Sequence, residues 1–125
     1  MREIEYSAGY DNSLKQHLRK RIKDYGKDYA DYLIDDLEAL KNILLSGVRI
    51  PDRYKPHKLQ SKGGLIDCHL VSRGSDDILF FRKEKRNGVV VITMVAVGDH
   101  KFMNQLRASL IDDEDLLIDP EDLYA

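Results

Sequence analysis

The chain has 125 residues, of which 42% are hydrophobic and 34% charged, and its formal net charge is −2. That length supports one packed core, and the composition is that of a globular domain rather than a disordered or fibrous chain. The longest apolar run, residues 89–97, falls far short of the ~20 residues of a membrane span, and a single cysteine, Cys68, excludes an internal disulfide and reads as a small core residue.

Residues 2–7 suit a short first strand with Ile4 and Tyr6 on one face; Met1 to Tyr6 contain no apolar signal region, so a cytoplasmic protein is expected. Leu14, Leu18 and Ile22 then recur every four residues, the spacing of a helical stripe. The rest of that helix is basic (Lys15, Arg19, Lys20, Arg21, Lys23), its His17 is expected to be exposed, and Gly26 marks its end. A second helix should begin near Asp28, carry the seam Leu33, Leu37, Leu40 and Leu44, and stop at Gly47. The two helices read as an antiparallel hairpin.

Residues 48–64 look irregular, with Pro51, Pro56 and Gly63-Gly64 as breakers. Three strands are expected after them, over 65–71, 77–84 and 89–97, with turns at Arg73-Gly74-Ser75 and Arg86-Asn87-Gly88. The last strand is apolar on both alternations and should lie inside the sheet, covered on both sides. A further helix can follow over 100–111. The expected fold is α+β, a helical hairpin packed on a mainly antiparallel sheet of about four strands in the order β-α-α-β-β-β.

The net charge conceals a division. Residues 112–125 carry seven acidic side chains and no basic one, whereas residues 41–107 carry 13 basic and 6 acidic ones. We expect a domain over 1–111 and an acidic C-terminal tail over 112–125. A basic body of this kind suits a polyanion. The tail either aids solubility alone or folds back over the body and competes with that ligand.

Three of the four histidines, His57, His69 and His100, fall in the basic segment. Imidazole has an unperturbed pKa of ~6.5 and exchanges protons near neutral pH, so several of them beside a basic surface point to acid–base cleavage of a phosphodiester. In the strand starting at Leu65, period-two alternation puts Ile66, Cys68 and Leu70 on one face, against the helices. Leu65, Asp67, His69 and Val71 fall on the other. Three histidines and a carboxylate are also a zinc donor set, but no short helical ligand pair such as His-Glu-x-x-His occurs, and neither metal nor other cofactor is expected.

Several stretches, taken in order, carry a family resemblance. They are Ile50-Pro51-Asp52-Arg53-Tyr54-Lys55-Pro56-His57-Lys58-Leu59, Asp67-Cys68-His69-Leu70, Asp76 or Asp77 before Ile78-Leu79-Phe80-Phe81-Arg82, and Gly98-Asp99-His100. This ordered set resembles the YafQ branch of the RelE superfamily, bacterial toxin endoribonucleases of toxin–antitoxin modules, over roughly residues 2–104. The resemblance implies an active site of His57, His69, Asp76 and His100 with Asp67 beside them, cleaving mRNA without metal on the translating ribosome. It also implies a cognate antitoxin, with contact to DNA only through that antitoxin.

RNA supplies its own nucleophile, the 2′-hydroxyl, so cleavage requires a base, an acid and stabilisation of the phosphorane. We assign His57 with Asp76 to the hydroxyl, His100 to the leaving oxygen, His69 to the phosphate and Asp67 to orienting an imidazole; these roles are interchangeable on sequence grounds. Lys55, Lys58, Lys62, Arg73 and Arg82 are candidate phosphate contacts, and Phe102 a candidate base-stacking ring. Two departures favour a different class of function, a RelE-fold interaction protein that acts through its antitoxin with little nuclease activity. Asp77 stands where the family often has Trp, and Met94-Val95-Ala96-Val97 where many members carry Arg.

Overall fold

The computed structural model describes residues 1–59, 64–71 and 76–104. Lys62, Arg73, the turn Arg73-Gly74-Ser75, any helical continuation to residue 111 and the tail 112–125 lie outside the described residues.

The second helix, α2 (Lys27–Ser46), forms as its leucine spacing requires: Leu33, Leu37, Leu40 and Leu44 are all buried. Gly47 ends it at φ 79°, a left-handed cap that costs glycine nothing. Helix α1 (Tyr10–Tyr25) ends at Gly26, and α2 begins at Lys27, so a single residue at φ 90° joins the hairpin.

The strands are β1 (Arg2–Tyr6), β2 (His57–Lys58), β3 (Leu65–His69), β4 (Ile78–Arg86) and β5 (Val89–Gly98). They form one sheet in the order β1-β5-β4-β3-β2, with β1 parallel to β5 and every other pair antiparallel. The hairpin between β4 and β5 turns on Asn87 (φ 51°) and Gly88 (φ 81°), the paired positive angles of a turn matched to strand twist.

The sheet separates two apolar clusters. On the helix side Leu33, Leu37 and Leu40 pack with Cys68, Leu79, Phe81, Ile92 and Met94. On the other side Leu59, Leu65, Ile78, Phe80 and Ala96 form a smaller cluster with Phe102 and Met103. The β5 strand contributes to both, as a strand apolar on both alternations must. Each fully buried Leu, Ile or Phe contributes about 1.5–3 kcal/mol relative to exposure.

Four expectations change. The sheet has five strands, because β2 arises inside the segment read as irregular and pairs with β3 at His57–Asp67 and Lys58–Ile66. Val71 leaves the strand: its φ is 46°, its N–H is held by Asp36 Oδ2 at 2.7 Å, and it packs on the helix-side cluster. Ile22 is 43% exposed, and the buried positions of α1 are Tyr10, His17 and Arg21. His17 is therefore a core residue, because Asp77 meets it there.

Helical backbone resumes over residues 100–104. Asp99 caps it, its Oδ1 accepting the Phe102 N–H at 2.7 Å. Phe102 then lies across Gly98 so closely that a Cβ there would meet its ring at 2.5 Å. We predict that Gly98→Ala costs about 1–3 kcal/mol through overpacking, measured by urea unfolding. A loss below about 0.5 kcal/mol would show that the 100–104 turn shifts freely.

Candidate active site

Backbone register alone brings two histidines and a carboxylate together. His57 on β2 stands directly across from Asp67 on β3, and His69 lies two residues farther along the same face. The ring centroids of His57 and His69 are 6.4 Å apart. His100, the first helical residue after Asp99, adds a third ring 5.6 Å from His69. The imidazoles thus form a row in the sense of contacts, His57 to His69 to His100, on the face away from the helices.

Asp67 is 5% exposed, with its Oδ2 3.9 Å from His69 Nε2. Its other oxygen, Oδ1, is buried and accepts no hydrogen bond among the described residues. Nitrogen and oxygen atoms of His57, Asp67 and His69 all lie within 4.8 Å of one another. Burial holds the His69 pKa below its ordinary value. Asp67 pulls the other way, and the neighbouring His100, His57 and Lys55 reinforce the depression. The central ring therefore favours its neutral form, which still carries one N–H donor.

Asp76 and Asp77 point to opposite sides of the backbone and have different partners. Asp76 accepts both the backbone N–H of His100, at 2.8 Å, and a hydrogen bond from its ring Nδ1. It is therefore the partner of His100, not of His57. Asp77 points the other way, into the core, and is fully buried. There its carboxylate accepts from His17 Nε2 at 2.5 Å, Arg21 Nε at 2.8 Å and the Tyr29 hydroxyl.

This second constellation was missed in the sequence, where His17 and Arg21 read as solvated members of a basic helix. Their spacing of four was the available signal, since it places both on one helix face. Arg21 also donates to the Asp76 backbone carbonyl at 2.6 Å, so the buried network fixes the backbone that presents Asp76 to His100. Lys20 is engaged too, through Asp99 Oδ2 at 2.6 Å. Neither basic side chain is free in the way a solvated helix face implies.

The remaining candidates divide. Lys55 lies near enough to His69 to depress its pKa. Arg82 pairs in register with Leu65 and so shares the histidine face. Lys58 neighbours Ile66 and emerges on the opposite side of the sheet. Phe102 is half-buried, its ring 5.9 Å from that of Phe80, and serves the smaller core.

Comparison with known families decides what this arrangement belongs to. The family model described as "Bacterial toxin of type II toxin-antitoxin system, YafQ" matches residues 3–105. The chain belongs to the YafQ toxin family. No curated protein shows significant similarity to it. As a type II toxin, this YafQ-family chain has an antitoxin as its partner. Among the described residues, no helix is long and apolar enough to cross a membrane.

The buried Asp77 should make this YafQ-family chain sensitive to acid. Burial alone would raise its carboxyl pKa. The hydrogen bonds from His17, Tyr29 and Arg21, with the Arg21 charge, overcome this and lower it from 3.8 to about 2. A depressed folded-state pKa contributes stability that is present above 3.8 and lost as pH falls towards about 2. We predict about 2 kcal/mol from this group. The urea-unfolding free energies of wild type and Asp77→Asn should therefore converge as pH drops through that window. Parallel pH curves for the two proteins would refute the assignment.

Proposed function

We propose that this toxin is a metal-free endoribonuclease that cleaves mRNA, on the ribosome, through the histidine row. The observation that carries the reading is that His69 neighbours both His57 and His100, with Asp76 bound to the last ring. In-line attack needs a proton acceptor and a proton donor on opposite sides of phosphorus. His57 and His100 each neighbour His69, so a phosphate held at the central ring has one imidazole to accept a proton and another to donate one.

In this reading His57 takes the proton of the 2′-hydroxyl as its oxygen bonds to phosphorus. The bond from phosphorus to the 5′-oxygen breaks, and His100 supplies the proton to that oxygen. The products are a 2′,3′-cyclic phosphate and a 5′-hydroxyl. Asp76 fixes the orientation of the His100 ring through Nδ1 and leaves Nε2 to face the leaving oxygen. His69, neutral between them, donates its N–H to a phosphoryl oxygen, and Lys55 and Arg82 add positive charge on the same face.

The substrate is a polymer, and an open face suits it better than an enclosed cavity. A cavity of about 290 Å³ does open between α1 and β5, lined by His17, Lys20 and Phe102 among others. None of the three histidines of the row lines it.

Induction of the toxin followed by primer extension on a reporter mRNA tests the proposal. Discrete cuts within codons are expected, and growth arrest with intact RNA would overturn it. That second outcome would support the interaction-protein reading instead.

A further inference from the structure

We propose that His57, Asp67 and His69 form a binding site for a late-transition divalent cation, Zn²⁺ being the best match, and that occupancy switches the histidine row off. Binding stands on the donor geometry alone, whereas the inhibition rests on the nuclease reading above.

The donor set is preassembled by the sheet. His57 and Asp67 are cross-strand neighbours, His69 is on the same face of β3, and one ligand atom from each lies within 4.8 Å of the others. Zinc bonds to histidine nitrogen and carboxylate oxygen are ~2.0–2.2 Å long, so small side-chain rotations close the set around one ion. His57 is exposed on a two-residue strand and free to make that adjustment.

A second observation points to a ligand independently. Asp67 is 5% exposed, and its buried Oδ1 has no hydrogen-bond partner among the described residues. A buried carboxylate with one oxygen unpaired is costly, and a cation held by either oxygen of the group lowers that cost. Thr93 Oγ1 is also buried without a partner, but it lacks the two imidazoles.

The chemistry of the donors selects the ion. Two imidazoles and one carboxylate suit Zn²⁺, Cu²⁺ or Ni²⁺, whereas Mg²⁺ and Ca²⁺ prefer all-oxygen shells. Three protein ligands leave a fourth position for water or a phosphate oxygen. Inhibition follows from electron pairs. A metal bound to His57 occupies the lone pair needed to take the 2′-hydroxyl proton, and one bound to His69 immobilises the ring that meets the phosphate.

The test uses the purified full-length toxin with Zn²⁺ alone, followed by isothermal titration and by competition with a zinc-sensitive dye. One equivalent should bind, and excess Mg²⁺ should not displace it. His57→Ala, at an exposed position that the fold does not need, should weaken binding at least tenfold, as should Asp67→Asn, which keeps shape and loses charge. Circular dichroism establishes that both variants are folded.

RNA cleavage measured in parallel should be full in EDTA, fall in proportion to Zn²⁺ occupancy and recover on chelation. Absence of stoichiometric binding, or binding unchanged in both variants, overturns the metal site while cleavage in EDTA leaves the nuclease reading standing. Stoichiometric binding lost in both variants, with no cleavage under any condition, supports the site and defeats the nuclease reading. Cleavage that requires Zn²⁺ supports the site and overturns both metal-free catalysis and the inhibitory role.

Discussion

Asp77→Ala should destabilise the fold by about 3–5 kcal/mol, the cost of removing one partner from a buried ion pair. Total stability in domains of this kind is about 5–15 kcal/mol, so the variant should sit near the edge of folding. The loss is large because the partners remain. Arg21 is buried with its Nε aimed at the missing carboxylate, and His17 loses the acceptor of its Nε2 hydrogen.

Asp76→Ala, one residue away, removes a half-exposed carboxylate and should cost less than about 1 kcal/mol. Guanidinium unfolding of the two variants separates the neighbours. A loss under 1 kcal/mol for Asp77→Ala would mean that the network is decorative. Near-equal losses would mean that the two carboxylates do not have the separate roles assigned here.

The second large effect is on cleavage. His100→Ala should slow it by about 10²–10⁴-fold, the usual scale for deleting an acid or base. Stability should barely change, because the side chain is 53% exposed and its ring touches Asp76 and His69 rather than either apolar cluster. Cleavage rate on a defined mRNA, with thermal unfolding as the control, measures both. Wild-type toxicity at matched expression would remove His100 from the mechanism and leave its pairing with Asp76 as a structural contact.

Residues whose environment is set by local periodicity could be read directly. The α2 leucine seam, the Asn87-Gly88 turn and the alternation through Ile66, Asp67, Cys68 and His69 all follow from spacing within one element. What escaped depends on contacts between distant elements. Nothing near His17 or Arg21 in the chain says that Asp77, 60 and 56 positions away, will meet them in the core. A basic helix face was therefore the reading that local information favoured.

The two-residue strand β2 escaped for a related reason: it is too short to show a period and exists only because β3 offers an edge. The proximity of His57, Asp67, His69 and His100 was legible, since the strand alternation and the order of segments point them to one face. Their pairings were not. Whether Asp76 serves His57 or His100 depends on where the chain re-enters after β5, which no local pattern encodes.

The parallel pairing of β1 with β5 imposes an order of events on synthesis. Arg2 lies opposite Val90, so the first strand made must wait for the last. Closing so long a loop is entropically slow and is rewarded only when both strands are present. Until β5 has left the ribosome, β1 has no strand to pair with and the sheet under α2 lacks its Ile92 and Met94 side. His100 follows β5 directly, so the nascent chain completes its sheet and its row of imidazoles at nearly the same moment. A chain built this way reaches its native sheet only when almost the whole domain has emerged.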